Sequence, residues 1–527
     1  MNPTPPAIVK QDVRRAGRRE WLGLAVIALP CVLYSMDLTV LNLAVPRLSA
    51  DLKPTAAQLL WIVDIYGFLV AGSLITMGTL GDRIGRRRLL MIGAAAFGVA
   101  SVIAAFSTSA EMLIATRALL GLAGATLAPS TLSLIRNMFL DPGQRTVAIG
   151  IWVTSYSVGG AIGPLLGGIV LQYFWWGAVF LIGVPVMLLL LVLGPMLLPE
   201  FRDPDAGRLD LLSAALSLVA VLSVIYGLKR IAEHGAEWLP MVSILVGTAV
   251  GIAFGRRQLA LADPLIDLRL FRSPAFSGSL VVYMIGTFVA FGIYVFIAQY
   301  LQLVLGLSPL KAGLWTVPSM AAFIIASMIV PVLVRRVRPP HLIGAGLVVA
   351  AIGFAILSQI DPASGTTVIV WGSVIYSLGI SPVVILATDL IVGSAPVERA
   401  GAASAISETS SELGGALGIA ILGSIGTAVY RGAMAAGVPP GVPSGAAAVA
   451  KATLGGAVAE AARLPEDVSA PLLDTARAAF GHAFEMTAAI CAGVAIATAV
   501  VAMVLLRQVP TGESPAHDVP LESEGAA

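Results

Sequence analysis

Charged residues are scarce in this chain of 527 residues. Asp, Glu, Lys and Arg together make up 12% of it, whereas 57% is hydrophobic and the mean hydropathy is +0.92. A soluble globular domain carries about a quarter charged residues, because polar groups must cover its surface. The shortage therefore excludes a large soluble globule and is expected of a protein surrounded by lipid. The net charge of +2 gives no basic field suited to nucleic acid, so we expect no such partner.

Motifs for nucleotide, metal and hydrolytic chemistry are missing as well. The sequence has no Gly-x-x-x-x-Gly-Lys-Ser/Thr, His-Glu-x-x-His, Gly-x-Ser-x-Gly or Cys-x-x-Cys, and its four histidines are dispersed. We therefore expect no enzyme activity, no ATP drive, no metal site and no cofactor. The two cysteines, Cys31 and Cys491, lie in apolar runs, so we expect packed thiols and no disulfide.

Long apolar runs are abundant, and they predict an all-α membrane protein. A helix of about 20 residues crosses about 30 Å of hydrocarbon. We predict fourteen spans near 22–45, 58–78, 89–107, 110–134, 146–171, 177–199, 209–228, 238–255, 276–301, 312–334, 341–360, 366–392, 401–428 and 482–506. Tails at 1–20 and 509–527 flank them. The segment 431–479 is too polar and too rich in Pro and Gly to span, so we expect an extracytoplasmic loop that ends in an interfacial helix.

The distribution of arginine predicts the orientation. The loops on the side of the N-terminus contain most of the arginines, including those at 83–88, 256–272 and 335–338, while the opposite short loops nearly lack basic residues. Lys229 and Arg230 are the main exception. Because cytoplasmic loops carry the excess of Lys and Arg, both termini are predicted to be cytoplasmic in a bacterial inner membrane.

An internal repeat relates the two ends of the chain. A shift of about 255 residues overlays the first five spans on spans nine to thirteen, and it places Gly159–Gly163 on Gly414–Gly418. We predict two pseudo-symmetric six-helix bundles at 21–200 and 261–508, with two inserted helices at 201–260. Transporters built this way bind substrate between the halves near the midplane. Chance similarity between Gly- and Ala-rich helices is the alternative.

Charged side chains inside the spans are the first candidates for function, because charge within a bilayer is costly. Asp37 lies roughly 22 Å into the first span and Arg117 lies roughly 10 Å into the fourth from the other side, at 1.5 Å per residue. Both therefore reach a similar depth. Asp37 is a candidate proton or cation site with Arg117 as its charge partner, and a static buried ion pair is the alternative.

Further acids occur in spans two, twelve and thirteen. Glu408 and Glu412 stand four positions apart, so both carboxylates share one helical face, where such a pair can exchange a proton for a cationic substrate. Asp64 lies near the outer end of span two, where a polar residue of the outer mouth is nearly as good an interpretation. Asp389 lies near the inner end of span twelve and is expected to be interfacial.

Two glycine-containing motifs are candidates for function, one in the turn between spans two and three and one within span five. The turn Gly78-Thr79-Leu80-Gly81-Asp82-Arg83-Ile84-Gly85-Arg86-Arg87-Arg88 joins spans two and three. Asp82 is predicted to cap a neighbouring helix and pair with an arginine, which would hold one conformation shut, and a simple topology anchor is the alternative. In span five, the small residues of a second motif permit close helix contact and a proline kinks the helix. That motif contains Gly159, Gly163, Pro164, Gly167 and Gly168.

Aromatic residues in several spans are candidates for lining a substrate cavity, although packing or an interfacial belt is the simpler interpretation of any single one. Together with acids they suit flat lipophilic cations, because a cation is attracted to an aromatic face. The candidates are Tyr34, Trp61, Tyr66, Trp152, Tyr156, Phe291, Tyr294, Trp315 and Tyr376.

These motifs together resemble a known family. The 78–88 turn resembles the loop signature of the major facilitator superfamily, and Gly163-Pro164-Leu165-Leu166-Gly167-Gly168 resembles the antiporter signature of its drug exporters. With Asp37, Arg117 and the Glu408/Glu412 face, residues 20–510 resemble the fourteen-helix drug–proton antiporter branch, the QacA-like multidrug pumps. The resemblance implies that Asp37, Asp64, Glu408 and Glu412 handle protons and cations, and that the span-five motif seals the gap between the halves. The chain departs from the family pattern in two places. Span ten carries no acid, although some relatives have one there. In span six, Gly183-Val184-Pro185 stands where the branch usually has Asn before the proline.

The sequence therefore favours a proton-coupled antiporter that exports quaternary ammonium compounds, dyes and fluoroquinolone-like drugs, with protons, lipophilic cations and membrane lipids as its only expected partners. We expect a monomer. The alternatives are a dedicated exporter of one natural metabolite, an uptake symporter, which the antiporter signature disfavours, and a receptor or scaffold that transports nothing.

Overall fold

A computed structural model describes residues 15–54, 56–202, 210–234, 238–261, 264–307, 309–360, 365–396 and 399–507. The predicted tails, apart from residues 15–20, lie outside these ranges. The described residues form helices and connecting turns, and no β-strand occurs among them. The predicted all-α membrane fold is confirmed.

The N-terminal half contains eight helical segments. They are α1 (Arg18–Leu52), α2 (Ala56–Ile84), α3 (Arg86–Ala105), α4 (Ala110–Gly124), α5 (Leu127–Met138), α6 (Pro142–Tyr173), α7 (Ala178–Leu181) and α8 (Gly183–Leu197). Local chemistry sets several of these ends. Ser109 and Asp141 accept hydrogen bonds from the amides of Met112 and Gln144, which caps α4 and α6. Predicted span four thus consists of two helices in series.

Two helices, α9 (Leu211–His234) and α10 (Trp238–Ala260), form the inserted hairpin. The C-terminal half continues with α11 (Pro274–Gln299), α12 (Pro309–Leu333), α13 (Pro339–Leu357), α14 (Thr367–Gly393), α15 (Ala400–Gly437), α16 (Ser444–Ala452), α17 (Leu454–Ala461) and α18 (Glu466–Leu505). Thirteen described segments are long and apolar enough to cross a membrane, one fewer than predicted. The remaining predicted span, 146–171, falls within the 32-residue helix α6.

The helices pack as two related bundles. In the N-terminal half α1 lies along α6, and in the C-terminal half α11 lies along α15 in the same way. The halves meet where α2 contacts α15 and where α6 contacts α12. Helix α9 packs on both α2 and α15, so the inserted hairpin flanks one of these two seams.

The segment predicted as a loop at 431–479 is largely helical. Helix α15 runs on to Gly437, α16 and α17 follow, and the expected interfacial helix is the beginning of the 40-residue α18. Alanine has the highest helix propensity, so the Ala-rich stretches form helices although they contain too little apolar length to span. Their buried faces, at Ala450, Ala457 and Ala461, belong to the same apolar cluster as Leu472 and Ala476 of α18.

Candidate functional site

Asp37 and Arg117 form a buried ion pair in the N-terminal half. Arg117 Nη1 lies 2.6 Å from Asp37 Oδ2, and Arg117 Nε donates to the carbonyl of Ile62 at 3.1 Å. The guanidinium carbon stands 4.8 Å from the ring centre of Tyr66. The arginine is 1% exposed and the carboxylate 16%, so the pair is shielded from solvent but not sealed. The predicted charge pair, which was based on the similar depth of the two residues in their spans, is thus in direct contact.

A cluster of tyrosines continues from this pair toward the other half. The ring centres of Tyr34 and Tyr66 are 6.1 Å apart, and those of Tyr34 and Tyr156 are 5.6 Å apart. The hydroxyl of Tyr34 donates to Glu412 Oε1 at 3.4 Å. Glu412 is exposed, whereas Glu408, one turn away, has a buried carboxylate oxygen with no hydrogen-bond partner among the described residues. Acids of the C-terminal half therefore face aromatic side chains of the N-terminal half.

The remaining aromatic candidates separate into distinct places. Trp152 is buried beside Tyr156, with ring centres 4.9 Å apart, and its Nε1 donates to Thr131. Tyr376 stacks on Phe354 inside the C-terminal half. Trp61 lies in a cavity beside the inserted hairpin, while Phe291, Tyr294 and Trp315 are largely exposed. Only Tyr34, Tyr66, Tyr156 and Trp152 among the candidates are thus brought together near the acids.

Asp82 closes the seam between α2 and α15 at the end where α2 meets α3. Its two carboxylate oxygens accept hydrogen bonds from the amides of Gly401 and Ala402, both at 3.0 Å, in the first turn of α15. Arg86 lies 2.8 Å from the same carboxylate. Negative charge is stabilised at a helix N-terminus, so this contact joins the halves. The predicted cap and ion pair are confirmed, and a methyl group at Gly78 would crowd Gly401 and Ala405.

Other residues of the 78–88 turn fix its shape. Gly85 has φ +108, a conformation that favours glycine, and it connects α2 to α3 without a loop. Arg87 contacts Glu200 at 3.5 Å and donates to the carbonyl of Leu198 at 3.0 Å, which ties the turn to the end of α8. Arg83 is half-buried beside them.

A second contact between the halves, at the same end of the molecule, was missed by the sequence argument. Arg145 Nε lies 2.6 Å from Asp389 Oδ1, and the hydroxyl of Thr146 donates to Asp389 Oδ2 at 2.7 Å. Arg136 donates to the carbonyl of Gly393 at 3.5 Å. Asp389 lies on α14 and is buried against α6, so its carboxylate faces protein, and the expectation that it lies at the depth of the membrane interface stays a prediction. Its position within an apolar span was the available signal, but the partner lies 244 residues away in sequence.

The glycines of span five pack within their own half. A methyl group at Gly159 would collide with the carbonyl of Val32, and one at Gly167 would meet Val40, both on α1. Gly163 is buried, Gly168 has open space, and the side chain of Pro164 lies outside the described part of the chain. Gly159 and Gly167 therefore pack against α1, and the seal between the halves that the resemblance implies stays a prediction.

The repeat partners of these glycines behave alike. Gly414 and Gly418 approach the carbonyls of Met284 and Phe288 on α11 so closely that a methyl group would collide with each. Span five on α1 and span thirteen on α11 are thus the same packing unit used twice, which supports a true repeat.

The described residues contain no cluster of His, Cys, Asp and Glu that could hold a metal ion. Asp64 is half-buried on α2, three residues after Trp61. Cys31 and Cys491 are buried free thiols, as predicted.

Comparison with known proteins gives consistent results. A family model described as "Major Facilitator Superfamily" matches residues 27–419. The chain is 44% identical over 494 residues to "Multidrug efflux pump LfrA" of Mycolicibacterium smegmatis, covering 94% of this chain and 98% of that protein. It is 37% identical over 464 residues to "Methyl viologen resistance protein SmvA" of Salmonella typhimurium, covering 88% and 93%. The solved human organic anion transporter MFSD10 shares the fold, with a TM-score of 0.58 at 15% identity, over 92% of this chain and 99% of that one.

Proposed function

The chain belongs to the major facilitator superfamily, and from this premise we propose that it exports lipophilic cations in exchange for protons. It is a multi-pass membrane transporter by family, and the relatives named for multidrug efflux and for methyl viologen resistance support a drug exporter. We place it in a bacterial inner membrane with both termini in the cytoplasm, acting as a monomer without a cofactor. The proton gradient supplies the drive.

One observation carries the proposal. An unbroken line of contacts joins Asp37, Arg117, Tyr66, Tyr34 and Glu412 across the two halves. A charge placed at either end changes the electrostatic field at the other, because the groups between them are polar or aromatic and are shielded from water. Binding of a cation at one carboxylate and of a proton at another can therefore be coupled.

The cycle follows from which end is closed. In this structure the contacts of Asp82 and Asp389 join the inner ends, while Glu412 is exposed. A proton arriving from outside neutralises a carboxylate of the Glu408/Glu412 pair and releases the cation. The halves then rock, Asp82 leaves the α15 N-terminus, and the proton passes to the cytoplasm. The freed carboxylate binds the next cation.

Breadth of substrate follows from the aromatic cluster. Tyr34 and Tyr66 are buried in this structure, Tyr156 is half-buried and Trp152 packs beside it, so we propose that these rings become accessible to substrate when the halves move apart. Aromatic faces attract cations without demanding one hydrogen-bonding pattern. Flat quaternary ammonium compounds and dyes of different outline can use the same surface, with a carboxylate to neutralise them.

The test is ethidium flux in proteoliposomes with an imposed pH gradient. We expect the wild-type protein to move ethidium against its gradient, and Asp37→Asn and Glu408→Gln each to abolish the gradient-driven component. The matched control is Asp474→Asn, which removes an exposed acid of α18 and should transport like wild type. Ethidium binding, followed by its fluorescence, should be weakened but not lost in Asp37→Asn, because Glu408 and Glu412 remain while Arg117 loses the carboxylate that neutralises it.

Two results would reject the proposal. Full gradient-driven transport in both variants would move proton coupling to other residues. A wild-type protein that is folded and correctly oriented but moves no ethidium would not be an exporter of lipophilic cations.

A further inference from the structure

A polar cavity of about 260 Å³ lies where the ends of three helices of the N-terminal half meet. Helix α1 begins beside it, and α5 and α8 end beside it. We call it the end cavity. Its polar lining consists of Arg15, Arg19, Glu20 and Asn137. None of these residues takes part in the transport cycle described above, and the arginine distribution predicts that this end of the molecule is cytoplasmic.

The segment that begins α1 is fixed in place beside the end cavity. The amide of Ala16 donates to Gln144 Oε1 at 2.8 Å, and Arg19 Nη2 donates to the carbonyl of Met196 at 2.8 Å. These two contacts tie the start of α1 to α6 and to α8. The basic side chains of the segment therefore belong to a built wall of the cavity.

The two arginines of the end cavity leave donors for a ligand. Arg15 makes no hydrogen bond or ion pair with the described part of the chain, and Arg19 uses one nitrogen of a guanidinium that carries several more N–H groups. Two guanidinium groups against the single carboxylate of Glu20 give the lining a net positive charge. Because a guanidinium presents paired donors to phosphate or carboxylate oxygens, this part of the cavity suits an anion.

Asn137 sets a second requirement, which an anion alone does not meet. Its amide nitrogen and oxygen are both buried, and neither has a hydrogen-bond partner within the residue ranges that the structure describes. An unpaired buried polar group costs free energy, so a partner that enters the cavity best explains this amide. The nitrogen can donate to an anion, but the oxygen only accepts. The ligand therefore combines an anionic group with a hydrogen-bond donor close to it.

Apolar surface leads from the end cavity along α8. Leu188, Val192 and Met196 recur at every fourth position, so they share one face of the helix, and all three are more than half exposed. On neighbouring α1, Leu22 is equally exposed one turn after Arg19. Exposed apolar faces of spanning helices contact acyl chains. Because Arg19 bonds to the carbonyl of Met196 itself, the cavity stands at the end of this lipid-facing surface.

We propose that the end cavity binds an anionic glycerophospholipid whose headgroup also carries hydroxyl groups, such as phosphatidylglycerol. The phosphate lies between Arg15 and Arg19, a headgroup hydroxyl donates to Asn137 Oδ1, and one acyl chain lies along the exposed face of α8. The cavity has the volume of roughly nine water molecules at about 30 Å³ each, which suits a headgroup and exceeds a single ion. A bound lipid joins the start of α1 to the ends of α5 and α8. A soluble phosphate ester shares the headgroup chemistry but leaves the apolar face unused.

The test compares ligands that differ in one feature at a time. The full-length protein in detergent is titrated with phosphatidylglycerol or with phosphatidylmethanol, which has the same net charge and acyl chains but no hydroxyl group. Native mass spectrometry measures the bound fraction. We expect phosphatidylglycerol to bind about fivefold more tightly, the effect of one net hydrogen bond. Phosphatidylcholine, which has no net charge, and free glycerol 3-phosphate, which has no acyl chain, should both bind more weakly than either lipid.

Variants assign these preferences to residues. Asn137→Leu should bind phosphatidylglycerol and phosphatidylmethanol equally, because only the amide that distinguishes them is lost. Arg15→Gln should weaken both lipids about tenfold, since a hydrogen bond to a charged group is worth more than a neutral one, and Arg15→Lys should recover part of that loss. Arg336→Gln is the matched control, because it removes an exposed arginine of the C-terminal half, and it should bind as wild type.

Folding is measured separately, by thermal unfolding in detergent without lipid. Asn137→Leu should unfold at the wild-type temperature or above it, because a buried unpaired amide is removed. Equal binding of phosphatidylglycerol and phosphatidylmethanol by the wild type, or an unchanged preference in Asn137→Leu, would overturn the proposal. Glycerol 3-phosphate that bound as tightly as the lipid would also overturn it and would identify a site for soluble phosphate esters. No transport is measured, so failure here leaves the proposed antiport untouched.

Discussion

Arg117 has a double role because it contacts both a carboxylate and an aromatic ring. It neutralises Asp37 at 2.6 Å and lies over Tyr66 at 4.8 Å, in surroundings that leave it 1% exposed. A buried charge that loses its partner is strongly destabilising, so a proton that neutralised Asp37 would force Arg117 to find new contacts. Arg117 already donates to the carbonyls of Ile62 and Val63, and the ring of Tyr66 beside it leads through Tyr34 toward Glu412.

The Tyr34 hydroxyl makes a direct hydrogen bond to Glu412 across the two halves. We predict that Tyr34→Phe lowers pH-driven ethidium transport by at most about fivefold, because a net hydrogen bond is worth about 1 kcal/mol and this one, at 3.4 Å, is longer and weaker than average. Ethidium binding should change by less than twofold, because the ring is retained. Transport rate and fluorescence titration measure the two effects.

Tyr376→Phe is the matched control for that prediction. Its ring stacks on Phe354 inside the C-terminal half, far along the chain from the acids of α15, so both rate and binding should remain as in wild type. Equal losses of transport in the two variants would mean that tyrosine hydroxyls matter only for stability.

The contacts of single residues could be predicted where the depth of each residue in its span was enough to bring the two together. Asp37 and Arg117 start from opposite membrane faces and reach the same level, so their contact follows from residue counts. Asp389 also lay in a predicted span, but its partner Arg145 depends on how α6 of one half meets α14 of the other. That information is in the packing of the halves and not in any local pattern.

Contact between α1 and α6 depends on glycine at one position. We predict that Gly159→Ala lowers stability by about 1–3 kcal/mol, the usual cost of forcing extra volume into a packed site, because the added methyl group would meet the Val32 carbonyl. The measurement is the thermal unfolding temperature in detergent. Gly168→Ala, on the same helix with open space around it, should leave that temperature unchanged or raise it slightly.

Equal unfolding temperatures for the two variants would contradict the assigned packing. If only Gly159→Ala also lost proton coupling while remaining folded, the motif would have a sealing role beyond the contact with α1.

The spanning helices could be predicted because their hydropathy and their length agreed. The segment 431–479 shows why shorter helices could not be predicted in this way. Helices α16 and α17 are short and rich in alanine, so they lack the apolar length of a span. Their helicity comes from propensity and from packing small faces on α18. Hydropathy reports transfer into lipid, and these helices pack against protein, so hydropathy did not predict them. That the segment lies outside the membrane stays a prediction.

The repeat organises the whole molecule, and it was visible in the sequence because glycine spacing survived in both halves. What the sequence could not show was the relation between the halves. Asp82 and Gly78 join α2 to α15, while Gly150 approaches the carbonyl of Ser327 to join α6 to α12. Both seams are closed at the same end, so opening that end requires both to part together. Rigid-body rocking is the motion that meets this requirement.

A cross-link across one seam should therefore stop transport. A methyl group at Gly78 would lie 2.5 Å from the Cβ of Ala405, so Gly78→Cys with Ala405→Cys can form a disulfide after a shift of about 1 Å toward the usual Cβ separation of about 3.8 Å. In a background without Cys31 and Cys491, we predict that oxidation abolishes ethidium transport and that reduction restores it. Mass spectrometry of the unreduced peptides measures how much of the protein is linked.

The control places the same chemistry where no movement is required. A methyl group at Gly251 would lie 3.8 Å from the Cβ of Ala220, so Gly251→Cys with Ala220→Cys links α9 to α10 inside the hairpin. That cross-link should leave transport intact, because rocking moves the hairpin as one piece. If transport continued with the seam between α2 and α15 fully cross-linked, substrate would have to pass without parting of these helices, and rocking of the two halves would be ruled out. If the hairpin cross-link alone stopped transport, α9 and α10 would have to slide past each other during the cycle, and the hairpin would be a moving part of the gate.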